Sequence, residues 1–165
     1  MKHKFLFPIL TLCLFALFAA GGCADKNEKY IRALNENFNG EFQFATAVPE
    51  NESLGGGFIY EPGFGCYTLN SADGLTNYTV SGYPDCLDGY KVTSFHTEDG
   101  KYKLFGFSVG DTRESAEAAL TAQGYTAREQ DLYVLGKIRF TLFGQENIES
   151  ISVRLETTNK QGVDF

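Results

Sequence analysis

The strongest constraint on the fold is an alternation of apolar and polar side chains, with a period of two residues, near the end of the sequence. The apolar positions of two such segments are Ile138, Phe140, Leu142, Ile151, Val153 and Leu155. The polar positions between them are Arg139, Thr141, Ser152 and Arg154. Because successive side chains of a β-strand point to opposite faces, each segment predicts a strand with one face in a core and the other in water.

Further short segments rich in Tyr, Phe, Thr and Val are separated by turn-forming residues, which predicts additional strands. The predicted strands cover residues 41–48, 58–60, 66–69, 76–81, 90–97, 101–108, 132–135, 138–143 and 148–156. The segments 90–97 and 101–108 flank Glu98-Asp99-Gly100 and predict a hairpin. Gly55-Gly56-Gly57 is interpreted as a flexible hairpin connection. Such short connections favour an antiparallel sheet over a doubly wound parallel one.

Two helices complete the expected fold. Residues 27–38 place Tyr30, Ile31, Leu34 and Phe38 on one stripe, which predicts a short amphipathic helix. A second helix is expected to begin at Asp111, whose carboxylate would cap the first turn while Glu114 reaches back in a capping box. Gly124 is its expected left-handed C-terminal residue, with Tyr125 placed to touch Leu120. We therefore expect an α+β fold, with antiparallel sheet and one or two short helices packed on one face.

The first 22 residues have the composition of a secretory signal. Lys2 and Lys4 precede an uncharged apolar stretch, residues 5–20, that is too short to span a bilayer as a helix and contains Pro8. Small residues then lead to Cys23. This arrangement resembles a bacterial lipoprotein signal, which implies cleavage before Cys23 and lipidation of that residue. An ordinary signal peptidase could also cut after Gly22 and would leave Cys23 unmodified.

The lipoprotein interpretation divides the chain into a signal peptide at residues 1–22, a tether at 23–29 and a single α+β domain at 30–165. Within that domain, 30–97 and 98–165 are possible subunits. Acyl chains on Cys23, palmitate among them, would hold the protein on the extracytoplasmic side of a bacterial cell membrane or outer membrane. Loss of Lys2 and Lys4 changes the formal charge from −7 to −9. Nucleic-acid binding is disfavoured, because phosphate recognition needs clustered Lys and Arg.

The remaining cysteines, Cys66 and Cys86, form an even pair in an exported chain. A disulfide between them is a natural expectation, although buried free thiols remain the alternative. Their spacing does not fit a paired Cys-x-x-Cys zinc site.

Residues 106–110 read Gly-Phe-Ser-Val-Gly, the nucleophile-elbow pattern of esterases, with Ser108 in the position of the nucleophile. In that fold the histidine and the acid of the triad follow the serine in the chain. No histidine follows Ser108, and His96 is the single histidine after the signal. The motif is therefore interpreted as a chance match, with no catalytic residue assigned and no enzymatic activity expected.

Metal and cofactor sites find little support in the sequence. His96 lacks further ligands around it and is interpreted as a surface histidine. Asp73, Asp85 and Asp88 lie in turn-rich segments, but the spacing of a calcium loop is missing. No cofactor and no metal site are expected. As weaker binding candidates we select two tyrosines and two aspartates near Pro84, namely Tyr83, Asp85, Asp88 and Tyr90.

One family resemblance extends over residues 107–120 and 133–155. A strand ending in Val109-Gly110-Asp111 precedes a short helix, and a meander closes with Ile-x-Ser-Ile-x-Val at residues 148–153. This pattern resembles the helix-plus-meander unit of small bacterial envelope lipoproteins, including the SmpA/OmlA outer-membrane assembly lipoproteins, and of the β-lactamase-inhibitor-like fold. The resemblance implies a binding or scaffolding role at the envelope, and no catalytic residues can be carried over from it.

The leading hypothesis is a membrane-tethered module that recognises another protein through a sheet face or through its Gly-rich and Pro-Asp loops. A small extracytoplasmic hydrolase using Ser108, or a metal near His96, is the competing hypothesis. A solute-binding or ion-binding lipoprotein is the third.

Overall fold

A computed structural model describes residues 26–48, 55–61, 66–81 and 91–156, and within 55–61 it describes the side chain of Ile59 alone. Several predicted features lie outside the described residues. They are the predicted signal peptide, the predicted lipidation site Cys23, the predicted disulfide partner Cys86, and the binding candidates Tyr83, Asp85, Asp88 and Tyr90. The lipidation and the disulfide therefore stay predictions.

The described part of the chain contains two helices and eight strands. The helices are α1 (Lys26–Glu36) and α2 (Arg113–Ala122). The strands are β1 (Gly55–Glu61), β2 (Cys66–Ser71), β3 (Thr76–Ser81), β4 (Lys91–Thr97), β5 (Thr126–Ala127), β6 (Leu132–Leu135), β7 (Ile138–Phe143) and β8 (Ser150–Leu155). Helix α1 begins inside the segment predicted as a tether, so residues 26–29 are helical.

All eight strands form one sheet in the order β1-β2-β3-β4-β8-β7-β6-β5, and every neighbouring pair is antiparallel. The first four strands form one meander and the last four another. The two meanders join where β4 pairs with β8, and α2 lies between them in the chain. The predicted α+β class with antiparallel sheet is confirmed.

The hydrophobic core lies on one face of this sheet. Inward-facing residues of β2, β3, β4, β7 and β8 form a single cluster with Leu34 of α1 and with Ala116 and Leu120 of α2. Within this cluster, Phe95 contacts both Phe38 and Tyr78, with ring centroids 4.8 Å apart in each pair. Both helices therefore cover the same face, as the sequence predicted.

The alternation of apolar and polar residues in β7 and β8 has the predicted result. Side chains at all six apolar positions are buried, while Arg139, Thr141 and Ser152 are half-buried and Arg154 is exposed. The turn at Gly136-Lys137 joins β6 to β7 at the predicted residues. Each alternating strand thus has a covered face and an uncovered one.

The predicted cap of α2 is wrong by one residue. Thr112 is the N-cap, and its hydroxyl accepts a hydrogen bond from the backbone N–H of Ser115 at 3.3 Å. Asp111 Oδ2 instead accepts hydrogen bonds from the backbone N–H and the hydroxyl of Ser108, in the turn before the helix. The C-terminus agrees with the prediction: Gly124 has φ of 90°, and the N–H of Tyr125 donates to the carbonyl of Leu120.

Two predicted strands are absent from the described structure. Residues 41–48 do not form a strand, because Ala45 adopts a φ of 59° and the side chain of Asn35 bonds both the N–H and the carbonyl of Phe44. Residues 101–108 do not pair with β4, because Phe105 and Gly106 have φ values of 51° and 89° and form a tight turn.

Strand β4 therefore pairs with β3 and β8, and the predicted hairpin across residues 98–100 is wrong. The prediction of a flexible connection at Gly55-Gly56-Gly57 is also wrong. These glycines form the start of β1, where the register with β2 shifts between Gly55 and Gly57, so they are not a connection between strands.

Candidate functional site

The serine of the elbow-like motif lies in a turn that leads into α2. Its backbone N–H donates to Asp111 Oδ2 at 2.8 Å, and its hydroxyl donates to the same oxygen at 3.2 Å. The backbone of Asp111 is in turn bonded to Ile148, whose N–H donates to the Asp111 carbonyl at 2.9 Å. The Ser108 hydroxyl therefore acts as a donor within a helix-entry turn.

His96 lies elsewhere, on the face of the sheet away from the helices. His96 Nδ1 is 3.2 Å from Ser152 Oγ on β8, and its Nε2 is 3.9 Å from Glu98 Oε1. The first distance is a hydrogen bond, whereas the second is too long for one. Ser152 lies inside β8, between β4 and β7.

The other site residues considered in the sequence, Cys66 and Asp73, are not in contact with the His96–Ser152 pair. Cys66 begins β2, where it pairs with Glu61 and Ser81, and Asp73 accepts hydrogen bonds from Ser71 Oγ and the Leu75 N–H in the β2–β3 turn. Within the described ranges, no three His, Cys, Asp or Glu side chains are grouped closely enough to hold a metal ion.

One candidate surface brought together by the fold is the face of the sheet opposite the helices, here called the outer face. Its central side chains come from β2, β3, β4, β8 and β7. They are Thr68, Asn77, Thr79, Ser94, His96, Arg154, Ser152, Arg139 and Thr141. All are half-buried except Arg154, which is exposed. Small hydroxyl and amide side chains dominate this surface, and it can offer many hydrogen bonds to a flat partner.

Cross-strand pairing organises the outer face. His96 lies opposite Asn77 on one side and Ser152 on the other, while Arg154 lies opposite Ser94 and Arg139. At the β3–β4 end, the Ser81 and Thr93 hydroxyls are 3.0 Å apart. Arg139 also forms an ion pair with Glu156, just beyond β8. The result is a layer of polar side chains whose positions are set by backbone register.

A second candidate is a polar cleft of about 880 Å³ beside the first turns of α2. Its lining residues are Arg113, Glu117, Gln130, Asp131, Phe143, Gly144, Gln145 and Glu149. The guanidinium of Arg113 is 2.8 Å from both Glu117 and Asp131, and it also donates to the carbonyls of Gly144 and Gln130. Because these partners occupy its donors, Arg113 joins α2 to the β6–β7 region and has little capacity left for a ligand.

Titration properties of this cleft follow from the same contacts. The hydroxyl of Tyr133 donates to Glu117 Oε1 at 2.5 Å, and this bond, followed by that from Arg113, lowers the pKa of Glu117. The bond to Glu117 raises the pKa of Arg113. Both groups therefore stay charged at neutral pH, as a structural ion pair requires.

Sequence reasoning recognised the polar positions of β7 and β8 but missed their assembly into one surface. The alternation identified Arg139, Ser152 and Arg154 as water-facing. The alternation did not predict that β8 lies beside β4. This pairing is what brings Ser152 next to His96. One signal in the sequence could have identified this face: the segments that form β2–β8 contain no Asp or Glu.

Comparisons with known proteins identify no relative: no family model, no curated protein and no solved structure matches the chain. None of the described helices is long and apolar enough to cross a membrane.

Proposed function

We propose that the protein is a lipid-anchored binding or scaffold module on the extracytoplasmic side of a bacterial membrane, and that it recognises another protein through the outer face of its sheet. The observation that carries this proposal is the asymmetry of the sheet. Both helices and the whole core cluster occupy one face, while the other presents half-buried Thr, Ser, Asn, His and Arg side chains.

The anchoring part of the proposal rests on the sequence before Cys23. The two lysines, the short apolar stretch and the small residues before that cysteine favour export and lipidation. Two or more acyl chains would hold the protein stably at a membrane surface. Mass spectrometry of the mature N-terminus in the source cells tests this, and an unmodified Cys23 in a secreted form would contradict it.

Site-specific photocrosslinking in intact source cells tests the binding role. A benzoylphenylalanine is placed at Thr141, on the outer face, or at Thr121, an exposed position on α2. Because α2 packs on the opposite face, we expect a discrete crosslinked partner from Thr141 and none from Thr121. Equal products from both positions, or none from Thr141, would contradict use of the outer face.

The hydrolase hypothesis is tested separately. Ser108→Ala and His96→Ala would each abolish a hydrolase that depends on these side chains. Crosslinking from Thr141 should persist in Ser108→Ala, because Ser108 lies in the turn before α2 and not on the outer face.

A further inference from the structure

The proposed lipid anchor would fix one end of the domain close to the bilayer. Lys26, the first residue of α1, follows Cys23 by only three positions in the sequence. Because a chain extends at most about 3.6 Å per residue, Lys26 would lie within about 11 Å of a lipidated Cys23 for any conformation of the intervening residues. The start of α1 would therefore adjoin the membrane surface.

The turn between β6 and β7 lies at the same end of the molecule. The N–H of Lys137 donates to Asn27 Oδ1 at 3.1 Å, and a Cβ at Gly136 would lie 2.9 Å from the ring of Tyr30. Residues 26–30 of α1 and the turn at 136–137 thus form one surface, here called the proximal end. A short tether at Cys23 brings both of its parts to the bilayer together.

The opposite end of β7 leads to a different surface. Strand β7 begins beside the proximal end and reaches Phe143 about 17 Å further on, at about 3.4 Å per residue. The connection from β7 to β8 follows at residues 144–149, and the start of α2 is bonded to it, since the N–H of Arg113 donates to the carbonyl of Glu146 at 2.9 Å. Residues 111–114 and 144–149 are here called the distal end.

The proximal end carries exposed cations. Lys26, Lys29 and Lys137 are all exposed, and no described residue forms an ion pair or a hydrogen bond with their ammonium groups. Glu28, the acidic residue of the same helical turn, lies on another side of α1, where it lines a groove together with Arg32. The three lysines are therefore available to an anionic surface.

The distal end carries the opposite charge. Its exposed carboxylates are Asp111, Glu114, Glu146 and Glu149. The one cation among its residues, Arg113, is paired with carboxylates within the fold, as described above. An anionic surface would therefore attract the proximal end and repel the distal end.

We propose that the proximal end is a membrane-contacting surface, in which Lys26, Lys29 and Lys137 contact the phosphates of anionic lipids. This proposal rests on the lipid anchor of the proposed function and adds the orientation of the domain. Three lysines are fewer than the four to eight cations that typically recruit a protein to anionic lipid. Here the acyl chains supply the attachment, so the lysines need only select which end faces the bilayer.

This orientation leaves the outer face of the sheet accessible. Strand β7 begins at the proximal end and β8 is antiparallel to it, so both strands extend between the bilayer and the distal end. A sheet that stands on its strand ends presents both of its faces to the aqueous space. A partner protein could therefore reach Thr141 without displacing lipid.

Paramagnetic relaxation in NMR spectra tests the orientation. The lipidated chain is purified from the source cells in isotope-labelled form and placed in nanodiscs of phosphatidylcholine and phosphatidylglycerol, with a nitroxide on a small share of the lipid headgroups. We expect strong relaxation enhancement at the amides of Lys29 and Lys137 and little at that of Gln145, because the effect falls steeply with distance. The contrast should shrink in pure phosphatidylcholine and at high salt, which screens exposed charges.

The decisive variant is Lys29→Gln/Lys137→Gln, which removes two proximal charges and keeps the backbone bond of residue 137 to Asn27. We expect the ratio of the enhancement at residue 137 to that at Gln145 to fall by about threefold or more in anionic nanodiscs. The matched control, Lys101→Gln/Lys103→Gln, removes the same charge beside the other end of α1, where Asn39 bonds the backbone of both lysines. It should change the ratio by less than about 1.5-fold. Thermal melting establishes that each variant is folded.

Two results would overturn the proposed orientation. They are equal enhancement at Lys137 and Gln145 in anionic nanodiscs, and an equal fall of the ratio in both double variants. Mass spectrometry of the same samples separates this failure from that of the proposed function. An unmodified Cys23 overturns the anchor and the orientation with it, whereas a lipidated Cys23 with equal enhancement at the two ends overturns the orientation alone.

Discussion

The hydroxyls of Thr76 and Thr97 form a 2.8 Å hydrogen bond between neighbouring strands, and both side chains are buried in the core. The Thr97 hydroxyl also accepts the N–H of Asp99 at 3.0 Å, so it closes the turn that follows β4. Thr97→Val would remove the hydroxyl that bonds both the Thr76 hydroxyl and the N–H of Asp99. An unpaired buried polar group costs about 1–3 kcal/mol, and we expect the free energy of unfolding to fall by about that amount.

Urea unfolding of a double-mutant cycle measures the Thr76–Thr97 interaction. Thr76→Val/Thr97→Val should cost less than the sum of the two single variants, because the second substitution removes the hydroxyl that the first leaves unpaired. Strict additivity would show that the two hydroxyls do not interact energetically.

Replacement of Tyr125 by Phe should leave the protein as stable or make it more stable. The Tyr125 side chain is 3% exposed, its hydroxyl has no hydrogen-bond partner among the described residues, and burial raises its pKa. Removing an unsatisfied hydroxyl should change the free energy of unfolding by between 0 and about +1 kcal/mol. The ring contact with Phe140, at 5.1 Å between centroids, is retained in the variant.

Tyr133→Phe is the matched comparison for Tyr125→Phe. It removes a hydroxyl that donates to Glu117 and should lower stability by about 1–3 kcal/mol, as expected for a bond to a charged group. Chemical denaturation of both variants checks the contrast. A larger loss in Tyr125→Phe than in Tyr133→Phe would show that the Tyr125 hydroxyl has a partner.

Gly144 should tolerate alanine far less well than Gly106. Both glycines have positive φ, 109° and 89°, so alanine at either is strained by about 1–2 kcal/mol. A Cβ at Gly144 would also overlap the carbonyl oxygen of Asn147 and lie 2.9 Å from the N–H nitrogen of Glu149, whereas Gly106 has open space. We expect Gly144→Ala to cost at least about twice as much as Gly106→Ala, as measured by urea unfolding. Equal costs would mean that residues 144–149 shift to make room.

Stability should depend on pH through Glu117. Its pKa in the folded state lies below the ordinary value of 4.5, because Tyr133 and Arg113 donate hydrogen bonds to the carboxylate. A carboxyl with a lowered folded-state pKa contributes stability above its unfolded pKa and loses it as the pH falls through the folded pKa. The stability difference between the unmodified protein and Glu117→Gln should therefore be largest at neutral pH and shrink below about pH 4.5.

Thermal melts at several pH values measure this difference. Glu114→Gln, an exposed carboxylate in the first turn of the same helix, provides a comparison of equal charge change. A difference between the Glu117 variant and the unmodified protein that grows as the medium becomes more acidic would contradict the assigned hydrogen bonds.

Local patterns predicted most strands of the fold and both of its helices. Residues 132–135 and 138–143 form strands at the predicted bounds, because their alternation and the Gly136 turn specify structure over a few residues. The two missing strands contain Ala45 and Phe105, whose positive φ values are unusual for residues with a Cβ. Contacts made elsewhere hold them there, including those of Asn35 with Phe44 and of Asn37 with Phe105.

The sequence by itself determined which residues form the covered and the uncovered side of each strand, since a period of two residues assigns side chains to faces without reference to any partner. Only the tertiary structure decided that β4 lies beside β8, and so that His96 meets Ser152 and that Arg154 lies between Ser94 and Arg139. Pairing between strands more than fifty residues apart depends on how the core packs as a whole. The candidate surface therefore exists only once the two meanders have joined.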